Sequence, residues 1–121
     1  MSKRVLVVDD SGVIRQIGSM TLKSAGFDVI DAVDGRDALK KASDDQFDLV
    51  ITDINMPEMD GIELIKELRS LKEYKFTPIV VLSTLAQKDK VDEGKQAGAS
   101  GWIFKPFDAK KLMETVRKFV Q

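Results

Sequence analysis

Residues 49–57 read Leu49-Val50-Ile51-Thr52-Asp53-Ile54-Asn55-Met56-Pro57. The stretch opens with an apolar run of strand length, which is typical of a β-strand that is buried on both faces. A single carboxylate, Asp53, stands where the run ends, and Pro57 stops regular structure soon afterwards. A buried strand that carries an acid at its tip is an arrangement that can build a functional site.

Three other apolar runs also end in side chains that can do chemistry. Val5–Val8 leads to Asp9 and Asp10, Ile79–Leu82 leads to Ser83 and Thr84, and Trp102–Phe104 leads to Lys105. We predict strands at 4–9, 27–32, 47–52, 79–82 and 102–104. The second of these, 27–32, alternates apolar and acidic residues, as an edge strand does.

Helical signals separate these strands. Good N-cap residues stand before four of the predicted helices, at Ser11, Asp34, Asp60 and Asp108, and Glu63 completes a capping box with Asp60. A fifth helix, at about 87–96, is mostly polar. In the first helix, Val13, Ile14, Ile17 and Met20 recur at helical spacing up to Gly26, a residue suited to end it.

Five strands that alternate with five helices predict an α/β fold, in which a parallel sheet is covered on both faces. Because the second strand looks like an edge, we predict a doubly wound five-stranded sheet in the order 2-1-3-4-5. Such sheets bind ligands beyond the carboxyl ends of their strands, where strands one and three diverge. Neighbouring strands lie ~4.8 Å apart, so Ser83 and Lys105 belong to the same rim as the acids.

The composition is that of an ordinary globular domain. The chain has 121 residues, 43% hydrophobic and 32% charged, with 19 basic and 20 acidic residues and a net charge of −1. No basic stripe points to nucleic acid. The absence of cysteine and histidine excludes disulfides, thiolate ligands and imidazole ligands. Since no apolar stretch approaches membrane-spanning length, we expect one cytoplasmic domain over residues 1–121 without membrane insertion.

Asp9, Asp10 and Asp53 meet at the predicted rim, where their charges repel one another. A hard divalent cation relieves that repulsion, and an all-oxygen donor set favours Mg²⁺, with Mn²⁺ as the alternative. An Asp-Asp pair alone is usually a helix-entry acid, but the third carboxylate and the facing Lys105 favour a site for metal and phosphate. Asp53 is then either a ligand or a nucleophile that forms an aspartyl phosphate, a reaction that needs no general base.

A family resemblance rests on five features in order. They are Asp9-Asp10, Asp53 in the setting DINMPEMDG, Ser83 after an apolar strand, and Lys105-Pro106-Phe107. From Arg4 to Val120 the chain resembles the receiver domains of two-component response regulators. The resemblance implies a flavodoxin-like form of the predicted fold and, because nothing follows the last helix, a stand-alone receiver of the chemotaxis type.

The resemblance also implies roles at the rim. Asp53 would accept a phosphoryl group from a phosphohistidine on a sensor histidine kinase. Asp10 and Asp53 would hold Mg²⁺ together with the backbone carbonyl of Asn55, while Asp9 would act directly or through water. Lys105 would pair with the phosphoryl oxygens. The resemblance further implies that the protein is a monomer. Its downstream partner would be a motor switch component or a phosphotransfer protein.

The resemblance also assigns roles to Ser83 and Trp102 in the change of conformation that follows phosphorylation. By the resemblance, Ser83 would hydrogen-bond the phosphoryl group and draw its loop inward, and Trp102 would then change rotamer. The peptide bond before Pro106 would be cis. Simpler roles stay open, because Ser83 could only cap its loop, Trp102 could be a packed aromatic that never moves, and Lys105 could be a surface lysine.

Three other functions compete with a phosphorylation-controlled switch. A phosphohydrolase of the haloacid dehalogenase type also uses an aspartyl phosphate, but its Asp-x-Asp follows the first strand, whereas Asp53 follows the third and Asn55 replaces the second acid. An FMN carrier needs a Ser/Thr/Gly phosphate nest after the first strand, and that nest is missing. A phosphotransfer intermediate in a multistep phosphorelay would share all the chemistry and only hand the phosphate onward.

Overall fold

A parallel β-sheet forms the middle layer of the protein. The computed structural model describes residues 3–120, except for the side chain of Leu85; Met1, Ser2 and Gln121, which belong to the predicted domain 1–121, lie outside the described residues. The strands are β1 Arg4–Val8, β2 Asp28–Ala32, β3 Leu49–Asp53, β4 Ile79–Thr84 and β5 Gly101–Lys105. Their order is β2-β1-β3-β4-β5, and every neighbouring pair is parallel. The predicted doubly wound fold and its strand order are confirmed.

Five α-helices cover the two faces of the sheet in the part of the chain that the structure describes. They are α1 Gly12–Ser24, α2 Gly35–Asp44, α3 Gly61–Ser70, α4 Val91–Ala97 and α5 Ala109–Phe119, and short 3₁₀ segments span Lys72–Tyr74 and Leu85–Lys90. One core cluster packs the sheet against α2 and α3, and the other packs it against α1 and α5. No helix among residues 3–120 is long and apolar enough to span a bilayer.

The predicted helix caps are present. The side chains of Ser11, Asp34, Asp60 and Asp108 each accept a hydrogen bond from a backbone N–H three residues later. These bonds satisfy backbone donors that a helix start leaves without a partner. Each one depends only on neighbouring residues, which is why the sequence predicts it well.

Most of the predicted apolar stripe of α1 does not face the core, although Ile14 packs against it. Val13 and Met20 are 66% and 61% exposed, and Ile17 is exposed as well. The helix instead buries Gly18 and Leu22. A Cβ at Gly18 would lie 3.5 Å from Cγ1 of Val7, so the helix contacts β1 along this glycine. The spacing of apolar residues therefore predicted the helix correctly but not which of its sides is buried.

Several element boundaries also differ from the prediction. Strand β3 starts at Leu49 rather than Phe47 and includes Asp53. Strands β4 and β5 extend through Thr84 and Lys105, which places Ser83 within β4. The predicted helix at 87–96 is a 3₁₀ segment, Leu85–Lys90, that continues into the short α4.

Arg69, on α3, anchors the far end of α4. Its guanidinium donates to the carbonyl of Gly98 from Nη2 at 2.8 Å and from Nε at 3.2 Å. Nη1 donates to the carbonyls of Thr77 at 2.7 Å and Tyr74 at 2.5 Å. Gly98 ends α4 with a φ of 117°, and a cation at a helix C-terminus interacts favourably with its carbonyls.

Candidate functional site

Three carboxylates meet at the carboxyl edge of the sheet. Asp9 follows β1, Asp53 ends the adjacent β3, and Asp10 is the next residue of the β1–α1 connection. Asp9 and Asp53 are buried and Asp10 is exposed. One carboxylate oxygen from each residue lies within 4.8 Å of the others. The predicted acidic cluster is therefore formed.

Lys105 reaches this cluster from the end of β5. Its Nζ lies 3.0 Å from Oδ2 of Asp9 and 3.1 Å from Oδ1 of Asp53. Burial by itself would lower the pKa of the Lys105 ammonium, but its hydrogen bond to Asp9 and the charges of both carboxylates outweigh burial and raise that pKa. Lys105 is thus a cation directed at the site and not a lysine extended into solvent.

Asp53 sits in a setting that disfavours its negative charge. Burial raises the pKa of this carboxyl above its ordinary value, and the neighbouring charge of Asp9 raises it further. Lys105 and the N–H of Ile54, which donates to Oδ1 at 3.0 Å, oppose the shift without cancelling it. Further positive charge at this point therefore stabilises the ionised form.

The donor atoms suit a hard divalent cation. Carboxylate oxygens are the ligands that Mg²⁺ takes in proteins, and the cluster offers three. Asn55 lies two residues beyond Asp53 in the β3–α3 connection. Within residues 3–120 its backbone carbonyl accepts no hydrogen bond, so that oxygen remains available as a further donor.

Gly61 sets the position of the backbone at Asp53. It is the first residue of α3, and its N–H donates to the carbonyl of Ile54 at 2.9 Å. A Cβ at Gly61 would lie 2.3 Å from the carbonyl oxygen of Asp53 and 2.8 Å from Cα of Ile54. This role is not visible in the sequence, where Asp60-Gly61 indicates only the start of a helix. No local signal reveals a close approach between two backbone segments.

Ser83 and Trp102 contact each other rather than the acids. The indole Nε1–H of Trp102 donates to Oγ of Ser83 at 2.6 Å. Ser83 is fully buried, and Trp102 packs against the core cluster that lies between the sheet and α2 and α3. Among the described residues Ser83 makes no hydrogen bond with the three acids or with Lys105. The structure thus brings together Asp9, Asp10, Asp53 and Lys105, and places Ser83 beside them with a different partner.

The peptide bond between Lys105 and Pro106 is cis. This is the geometry that the resemblance implied for Pro106.

A parallel sheet in the order 2-1-3-4-5, with clustered acids and a lysine at its carboxyl edge, defines a class of signalling domain. Residues 5–117 match the response regulator receiver domain family, and the chain belongs to it. The resemblance is confirmed, and this membership sets aside the phosphohydrolase and FMN-carrier alternatives.

The proteins similar to this chain include chemotaxis proteins of the CheY type. Chemotaxis protein CheY-3 of Vibrio cholerae is 38% identical over 119 residues, which cover 98% of this chain and 92% of CheY-3. The structure of V. cholerae CheY4 has a TM-score of 0.95 at 47% identity and covers 99% of this chain and 100% of that one. A receiver domain of a Pseudomonas aeruginosa sensor histidine kinase, solved with a magnesium ion coordinated in its active-site cleft, has a TM-score of 0.90 at 25% identity, with 98% of each chain covered.

Proposed function

We propose that this chain is a CheY-like response regulator of a chemotaxis or motility pathway in the cytoplasm. Asp53 accepts a phosphoryl group from the phosphohistidine of a sensor histidine kinase, and phosphorylation changes what the domain binds. The observation that carries the proposal is the Lys105 ammonium, which lies within 3.1 Å of both Asp9 and Asp53 at the sheet's carboxyl edge. A cation and three acids in this arrangement suit phosphoryl transfer.

The residues that would hold Mg²⁺ are Asp9, Asp10, Asp53 and, through its carbonyl, Asn55. The magnesium ion coordinated in the related P. aeruginosa receiver supports this assignment. When bound, the ion supplies positive charge that offsets the charge of the phosphoryl oxygens.

The protein residues account for the transfer itself. An Oδ atom of Asp53 forms a bond to phosphorus while the phosphorus–nitrogen bond of the donor breaks and its electron pair returns to the imidazole. No proton has to leave Asp53, because the carboxylate attacks in its ionised form. Lys105 holds Asp53 in place and neutralises charge on the phosphoryl group.

The partners follow from this chemistry and from the relatives. The donor is a histidine kinase of the chemotaxis (CheA) type, and the surface formed by α4, β5 and α5 presents the phosphorylated state to a motor switch component or a phosphotransfer protein. On this surface Phe104 of β5 is 37% exposed, and Lys95 of α4 is exposed as well. An acidic partner segment with apolar anchors suits this surface. Nucleic acid is not part of the proposal.

The bond formed at Asp53 provides the direct test. We expect label from a phosphorylated kinase to enter the chain only with Mg²⁺ present and to be removed by hydroxylamine, as an acyl phosphate is. Reduction with borohydride should convert position 53 to homoserine, which mass spectrometry of the peptide locates. Label that resists hydroxylamine, or homoserine at Asp9 or Asp10 instead, would contradict the assignment.

Removal of the Lys105 charge should strengthen Mg²⁺ binding. The ammonium shares the carboxylates of Asp9 and Asp53 with any cation held there, so Lys105→Met removes a like charge from the ion's surroundings. We expect Mg²⁺ affinity to rise about tenfold, or about 1.4 kcal/mol. Isothermal titration calorimetry at fixed ionic strength measures this affinity. Lys110→Met, at an exposed position on α5, is the control for net charge. Unchanged or weaker binding in Lys105→Met would show that the metal does not use these acids.

A further inference from the structure

The indole of Trp102 is held between Ser83 on β4 and Gly94 on α4. On one side its Nε1–H donates to Oγ of Ser83 at 2.6 Å. On the other side a Cβ at Gly94 would lie 2.7 Å from both Cη2 and Cζ3 of the ring. The glycine thus leaves the space that the ring fills, and the indole connects α4 directly to the hydroxyl at the end of β4.

The chemistry of the indole fixes the direction of this hydrogen bond. An indole N–H only donates, so the Ser83 oxygen must accept. The hydroxyl proton is then not used in the bond to Trp102. Within residues 3–120, the Leu85 side chain apart, the Ser83 hydroxyl donates to no protein acceptor. A phenol at the same place could donate or accept, and a phenyl ring could do neither, so a donor-only aromatic sets the polarity of Ser83.

We propose that Trp102 is a positioning residue that holds the Ser83 hydroxyl as a hydrogen-bond donor for the phosphoryl group before that group arrives. This inference rests on the proposed function of Asp53. Phosphoryl oxygens accept hydrogen bonds, so the bonds form one chain, from the indole N–H to Oγ of Ser83 and from the Ser83 O–H to a phosphoryl oxygen. In such a chain each bond polarises and strengthens the next.

One consequence departs from the expectation that Trp102 changes rotamer on activation. The indole already bonds to Ser83 in this structure, and the bond uses a lone pair that the phosphoryl group does not need. Trp102 therefore keeps its rotamer and its bond to Ser83 when the phosphoryl group binds, and the ring moves with Ser83. Displacement of Ser83 reaches α4 through the ring and Gly94 rather than through a vacated aromatic pocket.

Beryllofluoride, which mimics a phosphoryl group on a carboxylate, is the probe for a thermodynamic cycle. Its affinity is measured by calorimetry at saturating Mg²⁺ for the native chain, Trp102→Phe, Ser83→Ala and the double variant. We expect Trp102→Phe to weaken binding by about fivefold, the size of one net hydrogen bond. In the Ser83→Ala background the same change should have no effect, because the indole then has no hydroxyl to orient.

The indole proton supplies a readout that does not depend on affinity. In ¹⁵N-labelled protein, the Nε1–H of Trp102 should exchange slowly with water both before and after beryllofluoride binds, and Ser83→Ala should remove this protection. Gly94→Ala keeps both partners and displaces only the ring, so it should lose the protection and weaken beryllofluoride binding about as much as Trp102→Phe does. Gly18→Ala is the matched control, since its added Cβ meets Val7 at an ordinary 3.5 Å.

Three results would overturn the proposal. The first is rapid exchange of the Trp102 indole proton in the protein without beryllofluoride. The second is a native beryllofluoride affinity in Trp102→Phe, or in a Gly94→Ala chain that has lost the indole bond. The third is a loss of affinity on Trp102→Phe that is the same whether residue 83 is Ser or Ala. Circular dichroism establishes that each variant is folded. If the native chain itself bound no beryllofluoride, the proposed function of Asp53 would fail first, and this outcome is distinct from the other three.

Discussion

A chain that carries Asp53→Asn should take up no label from a phosphorylated histidine kinase. The amide has nearly the shape of the carboxylate, but it is neutral and does not attack phosphorus. Its oxygen can still accept from Lys105 and from the N–H of Ile54, both of which contact Oδ1 in the native chain. The fold is therefore kept while the acceptor is lost, and we expect transfer to fall below detection.

The same substitution should stabilise the folded protein at neutral pH. Burial and the charge of Asp9 raise the pKa of the Asp53 carboxyl in the folded state, so the folded chain binds this proton more tightly than the unfolded chain does. The folded state therefore loses stability as the pH rises from the pKa of an unfolded aspartate through the raised pKa of folded Asp53. Asp53→Asn removes this cost, and we expect a gain of about 1 kcal/mol, or roughly 3–6 °C in Tm.

Two measurements check these expectations. Phosphotransfer is followed with labelled kinase, and thermal unfolding of the metal-free protein is followed from pH 7 downwards. The gain in Tm should shrink as the pH falls toward the pKa of an ordinary aspartate, because Asp53 is then protonated in both states. Asp44→Asn, at an exposed position on α2, should change neither quantity. Full labelling of Asp53→Asn, or a gain in Tm that grows toward low pH, would contradict the assignment of Asp53.

Gly61→Ala should destabilise the protein by about 2–3 kcal/mol, a large loss for one added methyl group. The new Cβ would stand 2.3 Å from the carbonyl oxygen of Asp53 and 2.8 Å from Cα of Ile54. Both are backbone atoms, so no side-chain rotation can relieve the overlap. Either α3 moves away from β3 or the backbone at Asp53 shifts, and each response separates the acids.

Urea unfolding and Mg²⁺ titration measure the two effects together. Gly18→Ala places the same methyl group in the helix α1, where the added atom meets Cγ1 of Val7 at 3.5 Å. We expect that variant to be neutral or slightly stabilising, because alanine favours the helix. A Gly61→Ala protein with native stability and native Mg²⁺ affinity would show that the contact between α3 and β3 is not rigid.

The sequence predicted most of what depends on local chemistry. The caps at Asp34 and Asp108 and the ending of the first helix at Gly26 follow from hydrogen bonds and backbone angles of adjacent residues. The order of the strands followed from one alternating strand, 27–32, and the convergence of acids at one edge followed from the order. These inferences need no knowledge of side-chain packing.

What the sequence could not predict depends on packing across the sheet. Spacing alone does not show whether Val13 or Leu22 marks the buried side of α1. The bond between Ser83 and Trp102 depends on register: Val81 pairs with Trp102, and since side chains alternate along a strand, Ser83 and Trp102 project from the same face. Such contacts join residues far apart in the chain, and no short motif records them.

The carbonyl contacts of Arg69 have a mechanical consequence. They hold the C-terminal end of α4 at Gly98, while its N-terminal end continues from the 3₁₀ segment Leu85–Lys90, directly after β4. A helix that is fixed at one end rotates about that end and does not translate along its axis. Movement of α4 would be a rotation about a pivot at Gly98, with its largest excursion next to Ser83.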